Sequence, residues 1–139
     1  MATMSSRLTD LCERYWEARL DASPLAATFL GDHRYDDRAD DLSETGQAAQ
    51  RDTWTALLAE AEAVPTRDLS PTEVDTRELL VGELRDAVAL LDARLVELAS
   101  DQMEGVHADL LIMAGQLHAP TPEHAAMAVT RVAALARML

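Results

Sequence analysis

Apolar residues recur along this chain at helical intervals almost from its start. Leu8, Leu11, Cys12, Tyr15, Trp16 and Leu20 follow one another at steps of three, one, three, one and four. That spacing puts them on one face and predicts a helix over about 6–21. Arg7, Asp10, Glu13, Arg14 and Glu17 fall largely on the other face. Ser23-Pro24 predicts a second, short helix, with serine at the N-cap and proline in the first turn, where a missing N–H costs nothing. Gly31 is placed to end it in a left-handed conformation. Ser43 caps a third helix to about Ala63, with Trp54, Leu57, Leu58 and Ala61 as its buried face, and Pro65 stops it.

Ser70-Pro71-Thr72-Glu73 reads as a capping box, serine at N-cap and glutamate three residues on. The helix it opens is expected to be the longest in the chain. Leu80, Leu84, Val88, Leu91, Leu95 and Leu98 form a near-heptad stripe. A run from Pro71 to about Ser100 would span about 45 Å. Gly82 inside it suggests a close helix crossing. Residues 102–105 read as a break and 106–117 as a fifth segment. Thr121-Pro122 starts a sixth, which carries Ala125, Ala128, Val132, Leu135 and Leu139 as its apolar positions. Its apolar pattern still runs at Leu139. That suggests either a helix that simply ends or the front of a longer protein. Short connections between helices favour an all-α antiparallel bundle of about five or six helices. Residues 1–139 are then one helical domain or the N-terminal part of a larger helical fold.

Composition supports the helices. Hydrophobic residues make up 48% of 139 and aromatics only 4%, so Leu, Ala and Val must build the core. The net charge is −13, from 25 acidic and 12 basic residues, and every basic residue is arginine. Such a surface repels nucleic acid and anionic membranes, so neither is an expected partner. One cysteine excludes an internal disulfide. With no signal-like N-terminus and no run of about 20 apolar residues, the expected location is cytoplasmic.

Candidate chemistry concentrates after Gly31. Asp32-His33-Arg34-Tyr35-Asp36-Asp37-Arg38-Ala39-Asp40-Asp41 packs five aspartates, two arginines, a histidine and a tyrosine into ten residues. As a calcium loop it fails: Arg34 takes the third position, Asp37 the glycine position, and Ser43 that of the bidentate glutamate. The bland reading is a solvated loop whose aspartates pair with Arg34 and Arg38 and cap the next helix. The sharper one is a binding loop of His33, Arg34, Tyr35, Asp36 and Asp37, because functional groups gather on loops. His33, His107, His118 and His124 show no paired zinc-ligand spacing, so no metal is expected in this chain. Cys12, Trp16 and Trp54 read as core residues. No catalytic residue is expected here.

The ordered set Tyr15-Trp16-Glu17-Ala18-Arg19-Leu20, Ser23-Pro24-Leu25-Ala26-Ala27-Thr28, Leu30-Gly31-Asp32-His33-Arg34-Tyr35-Asp36-Asp37 and Asp41-Leu42-Ser43 resembles the N-terminus of a large bacterial family, the domain-of-unknown-function family 885. Gln102-Met103-Glu104-Gly105-Val106-His107 and Thr130-Arg131-Val132-Ala133-Ala134-Leu135 look like further landmarks in the same order. Longer members look like helical zinc peptidases with the metal helix far downstream. The resemblance implies peptide or amide hydrolysis, with zinc as cofactor, for a full-length relative only. For these residues it implies a cleft wall or lid, whose partner is the remainder of its own polypeptide. The alternative is a free-standing binding or oligomerisation module that dimerises or docks on a partner through the leucine stripe and the last helix. A small enzyme working through His33, Tyr35 and the aspartates ranks below both.

Overall fold

The computed structural model describes residues 4–97, 108, 111–112, 115 and 119–138. Among them are five α-helices: α1 (Met4–Ala22), α2 (Pro24–Phe29), α3 (Glu44–Glu62), α4 (Pro71–Asp92) and α5 (Pro122–Met138). Three 3-10 turns, His33–Tyr35, Thr66–Asp68 and Leu95–Glu97, punctuate the connections. No strand occurs among the described residues, so the fold is all-α as the spacing predicts. None of the described helices is long and apolar enough to cross a membrane. The expected break at 102–105, His107, most of the fifth segment including His118, Leu98 and Leu139 lie outside the described residues.

The chain packs as two compact units, Met1–Ala18 with Gln47–Arg94, and Arg19–Gly46 with Leu95–Leu139. The first unit buries Leu8, Leu11, Trp54, Leu57, Ala61, Val64, Leu80, Val81 and Leu84. Tyr15 leans on Trp54, ring centroids 5.8 Å apart. At roughly 1.5–3 kcal/mol for each large apolar side chain, this burial is what holds the helices together. Polar side chains finish the ends. Arg77 donates from Nε to the Val64 carbonyl and from Nη2 to the Glu62 carbonyl, both at 2.9 Å, closing the open C-terminus of α3. The capping box of α4 forms as expected: Ser70 Oγ accepts the Glu73 N–H, and Glu73 accepts the Ser70 N–H at 2.7 Å.

Four expectations in this unit need correction. Trp16 is 44% exposed, because it sits at the edge of the α1 stripe that Leu8 and Leu11 centre. Cys12, on the same edge, is only half-buried, and that burial still raises its thiol pKa and disfavours the thiolate. The leucine stripe does not run on one long helix. Helix α4 stops at Asp92, about 33 Å from its start, because Arg94 takes a left-handed φ of 53°. Leu80 and Leu84 are buried within the unit, and Leu95 is exposed beyond the turn. A Cβ built on Gly82 meets no described atom within 4 Å, so no close crossing exists there.

The second unit buries Leu20, Pro24, Leu25, Ala27, Ala108 and Arg131. Helix α2 ends in a Schellman motif: Gly31, at φ 85°, donates to the Thr28 carbonyl, and Asp32 donates to that of Ala27. Its start departs from expectation. The Ser23 side chain makes no cap bond; its hydroxyl donates to Asp40 Oδ2 at 2.7 Å. Asp40 Oδ1 instead accepts the free Leu25 N–H at 3.1 Å, so a carboxylate from the far end of the loop caps the helix. Ser43 behaves as expected on α3, accepting the Gly46 N–H at 3.0 Å. Thr121 does the same for His124 on α5.

Candidate functional site

The charged loop is built from short-range bonds first. Asp32 caps the 3-10 turn by accepting the Arg34 N–H, and its carboxylate also takes the Arg34 guanidinium at 2.6–3.0 Å. Those bonds hold the Asp32 carboxyl below its ordinary pKa. Arg38 reaches back to Asp21 at 2.5 Å. The guanidinium carbons of Arg34 and Arg38 lie 5.3 and 5.6 Å from the Tyr35 ring centre. His33 Nδ1 donates to Asp36 Oδ2 at 2.8 Å.

The loop is then pinned from beneath by a residue that sequence reading leaves among the landmarks. Arg131, on α5, is only 1% exposed. Its Nε donates to the Arg38 carbonyl at 2.9 Å, and Nη1 to Thr28 Oγ1 at 2.7 Å. Nη2 donates to the carbonyls of Tyr35 at 2.6 Å and Pro24 at 3.4 Å, and lies 3.4 Å from Asp36 Oδ1. Thr28 passes the chain on, donating to that same Asp36 oxygen at 2.7 Å. Burial lowers the Arg131 pKa, while the charges of Asp36, Asp40 and Asp37 act the other way. A guanidinium nevertheless stays charged in a protein. A buried cation needs such a shell of acceptors, because leaving it unpaired would cost several kcal/mol.

The five candidate residues therefore divide. Asp36 faces inward as part of the Arg131 shell, and Tyr35 supplies its carbonyl to it. His33, Arg34 and Asp37 stand exposed on the outer side. His124 joins them from the first turn of α5, its ring edge-on to that of His33 with centroids 6.1 Å apart. Its Nδ1 is held by the Thr121 hydroxyl at 2.6 Å.

The apolar spacing marks Ala125, Ala128, Val132 and Leu135 on α5, and of these Ala128 and Leu135 face in while Ala125 and Val132 do not. In the fold Val132 is exposed, and His124, Met127, Ala128, Arg131, Ala134 and Leu135 face in. A signal was present: the one charge in the middle of α5 lies in phase with Met127 and Ala134, and the loop needs a cation.

Zinc, which the resemblance implies for a longer relative, finds no ligand set among the described residues. Among the described residues no three His, Cys, Asp or Glu side chains gather to hold a metal. The Nδ1 atoms of His33 and His124 are already bonded, to Asp36 and Thr121. In the first unit a shallow depression of about 620 Å³ lies over Ala56 and Leu57, beside Asp10 and Glu13. Its arginine, Arg14, is held by both oxygens of Glu60 at 2.7 and 2.8 Å.

Fold and site together define an all-α protein whose charged surface loop is locked by a buried arginine. Residues 24–139 match the family described as bacterial protein of unknown function (DUF885), and the chain belongs to it. No curated protein and no solved structure matches the chain.

Proposed function

We infer that this chain serves as a helical wall or lid region in a protein resembling a zinc-dependent peptidase, and supplies no catalytic machinery itself. One observation carries the reading. The Arg131 guanidinium fixes the loop backbone at Tyr35 and Arg38 from inside, which leaves His33, Arg34 and Asp37 outward on a rigid support. A loop that merely connects two helices needs no buried cation beneath it. A surface that must meet a substrate or a packing partner in one shape gains from such preorganisation.

The test uses the protein as its gene encodes it, with a fluorogenic peptide library. Substituting His33→Ala with Asp37→Ala is expected to raise KM and leave kcat nearly unchanged, the pattern of lost binding. Loss of kcat at constant KM would mean these residues do chemistry and would overturn the wall reading. So would turnover by the isolated 139-residue chain that a chelator abolishes.

A second reading, a helical binding or oligomerisation module, is favoured by one separate observation: the outer face of α5 is apolar and exposed.

A further inference from the structure

Two imidazoles meet at the outer edge of the locked loop, His33 from the 3-10 turn and His124 from the first turn of α5. Each is held through Nδ1, and the partner there decides which nitrogen of a neutral ring carries the proton. For His33 the partner is Asp36 Oδ2 at 2.8 Å. Asp36 is itself fixed, its other oxygen taking the Thr28 hydroxyl at 2.7 Å and lying 3.4 Å from the buried Arg131 guanidinium. A carboxylate only accepts, so neutral His33 carries its proton on Nδ1 and keeps a lone pair on Nε2. For His124 the partner is the Thr121 hydroxyl at 2.6 Å. That oxygen already accepts the His124 main-chain N–H at 3.3 Å, which leaves its own proton to donate to Nδ1. Neutral His124 then carries its proton on Nε2.

The two rings therefore present opposite polarity, an acceptor on His33 and a donor on His124. No group among the described residues bonds either Nε2. The arginines alongside are engaged, Arg34 by Asp32 and Arg38 by Asp21. A carboxylate or phosphate offers acceptors alone and would meet the His33 lone pair. An ammonium offers donors alone and would meet the His124 N–H. A hydroxyl has both functions on one atom, whereas the ring centres stand 6.1 Å apart. An amide has a donor and an acceptor on separate atoms. Extended main chain repeats them at ~3.3 Å per residue, so both rings lie within the span of about two residues.

We propose that His33 and His124 form a neutral amide-binding pair for the main chain of an extended peptide. His33 Nε2 accepts a peptide N–H, and His124 Nε2–H donates to a peptide C=O. The proposal rests on the wall reading and names what that wall touches. It also explains the buried support, because Arg131 and Thr28 hold the carboxylate that sets the polarity of His33.

Imidazole nitrogen NMR of the 139-residue chain, at about pH 8.5 to keep imidazoles neutral, reads the tautomers directly. The expected result is a proton on Nδ1 of His33 and on Nε2 of His124. The same polarity on both rings overturns the pair. The second arm uses the protein as its gene encodes it, with fluorogenic peptides free of Asn and Gln. In each peptide one non-scissile amide is replaced by an ester, which deletes one N–H. At one position the ester is expected to raise KM about three- to tenfold, the worth of one hydrogen bond, and to have no such effect in His33→Ala. His124→Ala is expected to raise KM by a similar factor with kcat retained. Sensitivity that appears only once Asn or Gln is present assigns a side-chain carboxamide and overturns the main-chain proposal. If esters change nothing while His33→Ala with Asp37→Ala still raises KM, the amide pair falls and the wall reading stands. If neither moves KM, or no peptide is turned over, both fall.

Discussion

Arg131 donates to the main-chain carbonyl of Tyr35 at 2.6 Å across 96 positions of sequence. Through that bond, and its partners at Arg38 and Thr28, a helix near one end of the chain sets the shape of a loop near the other. The loop's local bonds shape its 3-10 turn, and Arg131 hydrogen-bonds that turn to α5 beside the His33–His124 ring contact.

Replacing this cation is the most damaging single change expected. Arg131→Met would leave the carbonyls of Tyr35 and Arg38 without their donor and Asp36 without its charge partner. Breaking a buried pair this way costs about 3–5 kcal/mol. Arg131→Lys should rescue little, since an ammonium cannot fan out to several acceptors in one plane. Urea unfolding would measure the loss. Amide exchange should quicken around residues 32–40 before it does so in α4.

Asp40 takes over as the cap of α2, so its removal should matter more than that of Ser23. Asp40→Ala frees the Leu25 N–H and the Ser23 hydroxyl together, at a cost of about 0.5–2 kcal/mol. Ser23→Ala should cost less than this. Equal losses in a denaturation series would contradict the assignment.

Glu73 predicts an acid limit. Bonds from the Ser5 side chain, then the Ser70 side chain and backbone, bring its pKa from 4.5 to about 2. Because the folded value is depressed, the contribution is complete above the unfolded pKa near 4.5 and fades as pH falls towards about 2. The stability gap between wild type and Glu73→Ala should therefore be constant near neutrality. It should close between about pH 4.5 and 2. A gap unchanged at pH 2 would mean the carboxylate charge is irrelevant there.

Two helical glycines should respond in opposite directions. At Gly82 nothing described lies within 4 Å of an added Cβ, so Gly82→Ala should stabilise by roughly 0.4–1 kcal/mol. At Gly46 the Cβ would collide with the Asp41 carboxyl carbon and stand 2.6 Å from its backbone oxygen. Gly46→Ala must displace the Asp41 backbone at the start of α3, costing about 1–3 kcal/mol. Thermal unfolding of the two variants side by side gives the signs.

Much of this was legible along the chain. The five described helices, the Ser70 box, the Ser43 cap, the Gly31 turn and the all-α class follow from interactions spanning a few residues, which a sequence displays directly. Local rules failed where the deciding partner is remote. The end of α4 carries no glycine or proline, so periodicity overran it into the turn at Arg94. Asp40 looked like one more loop carboxylate until the fold brought it to α2.

What the sequence by itself determined is the secondary structure and the place of the charged loop, because helical period and caps are properties of neighbours in the chain. What only the tertiary structure decided is which way α5 faces, and therefore what Arg131 and Val132 do. Alanine-rich helices have apolar residues on more than one side, so periodicity alone cannot choose the buried one. The loop's carbonyls and carboxylates chose it, because a guanidinium fully supplied with acceptors is stable where a valine in the same place would leave them unpaired.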